Sequence, residues 1–318
     1  MKTELVAHHR PKAARRGTPW SRIRKGWQLY VMLALPVLFI VIFSYVPMYG
    51  AQIAFKDFVI NKSIWGSEWV GLKHFNRFIH SYDFWRLLRN TISISMYSLL
   101  AGFPFPILLA LSLNYVGKTW FKKSVQMITY APYFISVVVM VGILFELLDP
   151  RKGIVNHAIT ALGFEPIQFL AKAEWFQSIY VWSGVWQLVG FSCIIYLAAL
   201  ASIDPALHEA AVIDGANKMR RIWHVDLPGI MPVAVILLII NMGHMLDVGY
   251  EKILLMQNSL NLSTSEVIDT YVYKVALNSP GMNYSYSTMI GLFKSVINLT
   301  LLIAVNGIAR RLKQSSLW

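Results

Sequence analysis

Long apolar runs alternate with short basic or mixed-charge segments along the whole chain. Six of these runs have about the 20 residues that a helix needs to cross the hydrocarbon core of a bilayer. They lie near residues 28–48, 91–115, 128–148, 175–203, 230–248 and 286–308. The second run contains Gly102, Pro104 and Pro106, so we expect a kink or a break there. The pattern predicts an all-α membrane protein with six transmembrane helices.

The composition supports this prediction and narrows the possible partners. Of the 318 residues, 56% are hydrophobic and 14% are charged, which is too much apolar surface for one soluble core. The net charge of +13 comes from Lys and Arg clusters beside the apolar runs. That arrangement is typical of membrane topology, so lipid and not nucleic acid is the expected partner. Cys193 is the single cysteine, which leaves no second cysteine for a disulfide.

The basic clusters predict that both chain ends lie in the cytoplasm. Residues 1–27 contain eight Lys or Arg against one acid, and residues 309–318 contain Arg310, Arg311 and Lys313; both are predicted to be cytoplasmic tails. Residues 28–48 are predicted to be a retained transmembrane helix, because the run is too long for a cleaved signal peptide. The aromatic-rich residues 49–87 are predicted to be an extracytoplasmic segment.

The connection between the fourth and fifth runs is amphipathic and basic. Asp204 is a suitable N-cap and Pro205 suits the first helical position, so a helix is predicted to begin there. Gly215 is predicted to end it in a left-handed conformation. Asn217 is expected to cap a second short helix, and Pro228 to mark the turn into the next span. An ordinary loop of two amphipathic helices is the alternative interpretation.

Polar residues inside the apolar runs could line a path across the membrane, because exposing them to lipid is costly. They share faces of the predicted fourth helix (Ser183, Trp186, Gln187, Gly190), fifth helix (Asn241, His244) and sixth helix (Gly291, Lys294, Asn298). The alternative is that such residues only hold helices together. Lys294 could snorkel to the interface or pair with an acid such as Asp247.

Two incomplete sequence motifs are present, and neither supports an enzymatic function. The GKT at 117–119 is similar to the end of a phosphate-binding loop, but Ser112 stands where the loop requires glycine. His208–Glu209 is similar to the start of a zinc-protease motif, but Val212 stands where the second histidine is required. We therefore expect neither catalytic residues, nor a metal, nor a cofactor on this chain.

The segment EAAVIDG, followed after nine residues by VDLP, resembles the EAA loop of ATP-binding-cassette (ABC) importer permeases. In that loop E-A-A, a glycine and an apolar-x-Leu-Pro recur at the same spacing. The matching positions are Glu209, Ala210, Ala211, Asp214, Gly215, Leu227 and Pro228. Val225 replaces the usual isoleucine. Further segments, among them PMYGAQIAFKDF and VGYEKILLMQNSLNLSTSEVIDTYVYKVAL, are similar to type I carbohydrate permeases that serve complex oligosaccharides.

The resemblance implies a type I ABC importer permease bundle in the bacterial cytoplasmic (inner) membrane. Its core would be residues 88–308, with the EAA loop at 204–228. It also implies a second homologous permease, two ATPase subunits that bind the ATP, and an extracytoplasmic solute-binding protein. Residues 205–214 would form a cytoplasmic coupling helix that lies in a groove of an ATPase subunit. Glu209 would anchor this helix, and Gly215 would form the turn towards the fifth span.

The resemblance further implies an oligosaccharide substrate. Lys294, with Arg86 and Arg89 near the outer mouth, would favour an acidic one such as a uronate oligomer. Two other functions stay open as alternatives. A self-sufficient secondary transporter could use Asp247 and Lys294 as an ion relay, but it would leave the EAA loop unexplained. A membrane-embedded enzyme acting on glycans or lipids lacks a recognisable set of acid, base or metal-binding residues.

Overall fold

The structure, a computed structural model, describes residues 26–278, 282–312 and 315–317. The basic tail predicted for residues 1–27 lies outside the described residues except for Gly26 and Trp27, and Lys313 of the predicted C-terminal tail also lies outside them. Contacts divide the chain into two units, one ending at Gln52 and one beginning at Ile53.

The first unit is an apolar helix with its side chains exposed. Helix α1 covers Trp27–Ile40 and continues through a π-helical turn at Val41–Tyr45 and a single α-helical turn at Val46–Met48. None of its residues is buried. Apolar side chains on every face of a helix are what a lipid environment selects. The predicted first span is therefore present as a helix.

The second unit begins with a small segment of short elements, which includes most of the residues predicted to be extracytoplasmic. Its two-stranded antiparallel sheet pairs β1 (Lys56–Asp57) with β2 (Glu68–Trp69). Single helical turns lie between the strands, and helix α2 (Lys73–Ile79) follows them. Lys73 forms an ion pair with Asp57 at 2.5 Å, and this ion pair holds α2 against the sheet.

The remaining elements of the second unit are mostly helices. They are α3 (Phe84–Gly102), α4 (Pro104–Asn114), α5 (Thr119–Tyr130), α6 (Val137–Leu148), α7 (Ile154–Ala161), α8 (Ala173–Ala201), α9 (Pro205–Ile213), α10 (Leu227–Gly243), α11 (Tyr250–Met256), α12 (Ile268–Tyr273) and α13 (Tyr284–Arg311). Shorter helical segments are Ala131–Phe134, Lys218–Arg221, Ile222–Asp226, Leu262–Ser265 and Lys274–Asn278.

Five of the described helical segments are long and apolar enough to cross a membrane. They are Trp27–Phe55, Phe84–Asn114, Ala173–Ala201, Lys218–Gly243 and Tyr284–Arg311. A sixth span results if the bent pair Thr119–Phe134 and Val137–Leu148 is counted as one. The predicted all-α membrane fold is confirmed.

The predicted third span is wrong as a continuous helix over 128–148. The chain bends by 104° between Thr119–Phe134 and Val137–Leu148. Pro132 lies in the 3-10 turn that ends the first part, and the Ser136 side chain caps the second by accepting from the Val139 N–H at 3.3 Å. Capping and proline chemistry break the helix inside one unbroken apolar run.

The predicted second span is longer than its apolar run indicated, and the expected break is present at Phe103, between α3 and α4. It begins at Phe84 and not near residue 91, and it passes as a single span to Asn114. Pro104 stands in the first turn of α4, and the Phe103 N–H still bonds to the Leu99 carbonyl at 2.9 Å. The missing N–H of a proline breaks no hydrogen bond at such a position.

The predicted fifth span at 230–248 is shifted. Its helix begins at Lys218, includes the π-helical turn Ile222–Asp226 and ends at Gly243. The predicted cap is confirmed, because the Asn217 side chain accepts from the Arg220 N–H at 2.9 Å at the start of Lys218–Arg221. The expected turn at Pro228 is wrong, since this short helix continues through the π-helical turn into α10. A wider π turn has room for the proline that follows it.

Helix α8 is central to the second unit and packs against α3, α4, α5 and α10. Its closest approach is at Gly190, where a Cβ atom would lie 2.0 Å from the Thr129 carbonyl oxygen. Gln187, one turn earlier, donates to the Ile135 carbonyl at 2.8 Å. A glycine with a neighbouring side-chain amide is a packing arrangement typical of membrane helices. Gly190 therefore holds helices together.

Candidate coupling helix and polar cavity

The predicted helix after the fourth span is present as α9. The Asp204 side chain accepts from the Ala206 N–H at 2.9 Å, and Pro205 occupies the first turn. Gly215 has a φ of +75°, and the N–H of Ala216 bonds back to the Ala211 carbonyl at 2.8 Å. The N-cap and the left-handed glycine predicted from the sequence are confirmed.

Helix α9 has no buried residue. Glu209 and Ala210 are exposed and Ala211 is half-buried. Asp214 and Gly215 continue the same exposed surface. Ile213 is 85% exposed, and Leu207 and Val212 are exposed as well. An exposed helix with both charged and large apolar side chains is typical of a surface that binds another protein.

Leu227 and Pro228, the last two residues of the predicted EAA loop, lie elsewhere. They begin α10, and Leu227 packs against the apolar cluster that joins α4, α8 and α10. The loop motif thus has two structural parts. The E-A-A and Gly part forms the exposed helix and its turn, and the Leu-Pro part belongs to the next span.

A cavity of about 620 Å³ lies between α3, α4, α8, α10 and the chain that leaves α10. Gln187, Asn241 and His244, three of the residues predicted to line a polar path, line this cavity. Asp247 and Lys252 also line it. The structure therefore brings polar residues of the fourth and fifth spans together, as a transport path requires.

Four other predicted path residues do not line the cavity; they are Ser183, Trp186, Lys294 and Asn298. The Ser183 hydroxyl donates to the Ile179 carbonyl of its own helix, and Trp186 is half-exposed. The Asn298 side-chain oxygen accepts from the Leu246 N–H at 3.0 Å. The Asn298 side chain thus stabilises the turn after α10, and the Ser183 hydroxyl bonds within α8.

Lys294 is held by two carboxylates. Its Nζ lies 2.6 Å from Asp247 Oδ1 and 2.5 Å from Asp269 Oδ1, so the pairing with Asp247 proposed from the sequence is confirmed. Burial raises the pKa of Asp247, but hydrogen bonds from Lys294 and His244 outweigh burial and leave the pKa below its usual value. Asp247 thus stays ionised near neutral pH, so an ion relay through this residue would not carry a proton.

Lys252 is the functional candidate that sequence reasoning missed. Its side chain lines the cavity and is 8% exposed. Its Nζ donates to the Tyr180 carbonyl at 2.9 Å and lies 4.7 Å from the centre of the Tyr180 ring. Within the described ranges, no carboxylate oxygen comes within 4.0 Å of it. The signal in the sequence that could have identified this residue is a lysine among the mostly apolar residues of helix α11.

Burial lowers the pKa of Lys252 to about 8. The ammonium still carries its charge at neutral pH, but it does so without an acidic partner among the residues that the structure describes. Gly184 faces it, and even a Cβ atom there would lie 3.5 Å from the Lys252 Nζ. The absence of a side chain at Gly184 keeps the ammonium open to the cavity.

Comparison with known proteins decides the family. Residues 102–314 match the family described as binding-protein-dependent transport system inner membrane component. The chain belongs to this family. Protein LplB of Bacillus subtilis (strain 168) is 41% identical to the permease over 306 residues, covering 96% of each chain. The polygalacturonan/rhamnogalacturonan transport system permease protein YteP of Bacillus subtilis (strain 168) is 42% identical over 290 residues, covering 91% of the permease and 90% of YteP.

Two solved structures share the fold. The crystal structure of a bacterial ABC transporter involved in the import of the acidic polysaccharide alginate has a TM-score of 0.84 and 40% identity. The match covers 92% of the permease and 98% of that chain. The crystal structure of a bacterial alginate ABC transporter, in complex with alginate pentasaccharide-bound periplasmic protein, has a TM-score of 0.86 and 39% identity. It covers 94% of the permease and 99% of that chain.

These matches confirm the family and the fold predicted from the EAA loop. The protein is the permease component of a binding-protein-dependent ABC sugar importer, and it is a transport protein, not an enzyme. The permease is a component of the inner membrane, as its family is.

Proposed function

We propose that the permease transports an acidic oligosaccharide through the cavity beside Lys252, and that ATPase subunits drive this transport through α9. The observation that carries the proposal is the buried ammonium of Lys252, which has no carboxylate within 4.0 Å among the residues that the structure describes. Asp247, the carboxylate in the same cavity, is already paired with Lys294. The charged groups that line the cavity therefore favour an anion.

The free-energy cost of keeping Lys252 charged while it is buried supports a role for this residue in binding the substrate. A shift of its pKa from 10.5 to about 8 corresponds to a cost on the order of 3 kcal/mol for keeping the buried ammonium charged at neutral pH. A methionine of similar length would avoid this cost. The carboxylate of a bound uronate would offset it by forming a charge-assisted hydrogen bond.

The cations that the sequence first indicated are less suitable. Lys294 binds two carboxylates of its own chain. Arg86 donates to Asp83 at 2.8 Å and to Glu266 at 2.5 Å. Both charges are thus compensated before any substrate arrives, whereas Arg89 is exposed. The names of two similar proteins also favour an acidic substrate, since one imports the acidic polysaccharide alginate and one is a polygalacturonan/rhamnogalacturonan permease.

The exposed face of α9 suits the groove of an ATPase subunit. Glu209 would form charged hydrogen bonds there, and the small side chains of Ala210 and Ala211 would allow close approach of the two backbones. Gly215 would form the turn that passes the movement to the fifth span. In this arrangement the α9 face and both chain termini are cytoplasmic. A second homologous permease, two ATPase subunits and an extracytoplasmic solute-binding protein complete the importer.

The substrate proposal is tested with the complete importer in proteoliposomes, including its solute-binding protein. ATP hydrolysis is measured with uronate oligosaccharides and with neutral oligosaccharides of the same length and linkage. We expect stimulation by the uronates and about 10-fold less by the neutral set, since a charged hydrogen bond contributes about 1.5–3 kcal/mol. Stimulation by the neutral sugars alone would overturn the acidic substrate.

The coupling proposal has a separate test. Glu209→Lys reverses the charge on α9, and Gly215→Pro forbids the left-handed turn, whose φ is +75°. We expect both variants to keep basal ATP hydrolysis and to lose its stimulation by the loaded binding protein. Near-normal uptake of oligosaccharide by both variants would contradict the assignment of α9.

A further inference from the structure

A buried carboxylate lies beneath α9. Asp226 is the last residue of the π-helical turn that precedes α10, and it is 0% exposed. Its Oδ2 accepts from the Tyr115 hydroxyl at 2.6 Å, and its Oδ1 lies 3.4 Å from the His208 Nε2. His208 belongs to α9, and Tyr115 follows the end of α4. One side chain thus joins three separate elements.

The two carboxylate oxygens of Asp226 have different partners. Burial, with the hydrogen bond to Asp226 second, raises the pKa of Tyr115 to about 12, so the phenol keeps its proton and always donates. The guanidinium carbon of Arg221 lies 5.5 Å from the centre of the Tyr115 ring and does not form an ion pair with the carboxylate. Among the described residues, His208 is the basic side chain with a nitrogen within 4.0 Å of an Asp226 oxygen.

A buried carboxylate is stable only where its charge is compensated. Oδ1 of Asp226 has no hydrogen bond among the described residues, so compensation on that side depends on the nearby imidazole. Moving α9 away from the spans would remove the basic side chain nearest to this buried carboxylate, which is unfavourable.

We infer that Asp226 is the positioning residue that makes α4 and α10 follow the movement of α9. Apolar packing around Leu227 joins α4 and α10, but it includes no residue of α9. The hydrogen bond from Tyr115 to Asp226 is directional, and the contact of Asp226 with His208 at 3.4 Å is the one that reaches α9. The two contacts would transmit a displacement of α9 to the ends of two spans together. This inference rests on the proposed docking of α9 to an ATPase subunit.

The test is a double-mutant cycle in the complete importer. Asp226→Asn keeps an acceptor for Tyr115 and removes the charge that faces α9, and His208→Leu removes the imidazole. The readout is the ratio of ATP hydrolysis with loaded binding protein to basal hydrolysis. We expect each single variant to lower this ratio about 5-fold or more, and the double variant to lower it no further. His208→Arg, which restores a cation, should recover most of the ratio.

Two controls separate coupling from folding. His224→Leu removes an exposed histidine whose Nδ1 contacts only the Arg220 carbonyl of its own helix, and it should leave the ratio unchanged. If the importer does not assemble with Asp226→Asn, the double-mutant cycle uses His208→Leu and Tyr115→Phe instead, because Asp226 contacts both of these residues. A purely structural role would lower the yield or the unfolding temperature and leave the ratio unchanged.

The outcomes also distinguish this inference from the docking proposal. Uncoupling by Glu209→Lys together with fully additive effects of His208→Leu and Asp226→Asn would overturn the role of Asp226 and leave the docking of α9 intact. Normal coupling in Glu209→Lys would instead overturn the docking of α9. An unchanged ratio in both single variants would also overturn the inference.

Discussion

The charge of Lys252 predicts how transport depends on pH. Its ammonium lines the cavity and is buried without a carboxylate partner among the described residues. Burial lowers its pKa to about 8, well below the usual value for lysine. Lys252→Met removes the charge at every pH, and Lys252→Arg keeps it at every pH because arginine does not titrate in proteins. The two variants therefore give the uncharged and the fully charged limits for residue 252, and the wild-type permease changes between these limits with pH.

The expected change follows from the protonated fraction of Lys252. With a pKa of about 8, this fraction is about 0.9 at pH 7 and about 0.1 at pH 9. The pH dependence of kcat/KM reports groups of the free protein. Stimulation of ATP hydrolysis by a limiting concentration of uronate should then fall about 10-fold between pH 7 and pH 9, relative to Lys252→Arg. The charge is fully present below pH 7 and is lost as the pH rises through 8.

The assay is uronate-stimulated ATP hydrolysis of the complete importer from pH 6.5 to pH 9.5, with loaded binding protein. His244 and Asp247 line the same cavity and are common to all variants, so their ionisation cancels when wild type is divided by Lys252→Arg. Lys252→Met should give a low, flat ratio. A flat ratio for wild type, or a Lys252→Met importer that responds to uronate as wild type does, would refute the reasoning.

Three further predictions concern packing and the coupling turn. Gly190→Ala should lower the free energy of unfolding by about 1–3 kcal/mol or more, because its Cβ would meet a backbone oxygen at 2.0 Å. The matched control in thermal unfolding is Gly142→Ala, whose Cβ would meet nothing within 4 Å. Equal unfolding midpoints for the two variants would contradict the close packing at Gly190. Lys294→Met should destabilise the permease by about 2 kcal/mol, since it removes the cation that Asp247 and Asp269 share, and adding Asp247→Asn should recover part of the loss in the same assay. Gly215→Ala should lower the free energy of unfolding by about 1 kcal/mol, because alanine is strained at the positive φ of this residue. It should also reduce stimulated ATP hydrolysis. An unchanged ratio of stimulated to basal hydrolysis would show that the strain in this turn does not affect coupling.

Local chemistry made the ends of α9 predictable. An aspartate before a proline caps a helix through its own side chain, and a glycine can take a positive φ without a steric cost. Both effects act over a few residues, so Asp204 and Gly215 could be identified without a structure. The number of apolar runs is equally local, because each run has to match the thickness of the bilayer by itself.

The bend near Pro132 and the early start of the fifth span were not predictable from apolar run length. Hydropathy measures how well a segment dissolves in lipid, and it does not report a change of helix direction inside an apolar run. Polar Lys218–Arg221 likewise belongs to the fifth helix because its backbone hydrogen bonds continue into α10, a property that hydropathy does not measure.

The sequence by itself determined the helical membrane fold, the family and the ends of the exposed helix α9, because all three depend on the order of residues within short segments. Only the tertiary structure decided which lysine lines the cavity with no carboxylate within 4.0 Å among the described residues. Lys294 and Lys252 are both lysines in apolar surroundings, but two carboxylates from distant segments meet Lys294. Whether a buried charge is compensated depends on atoms that are close in space and far apart in the chain.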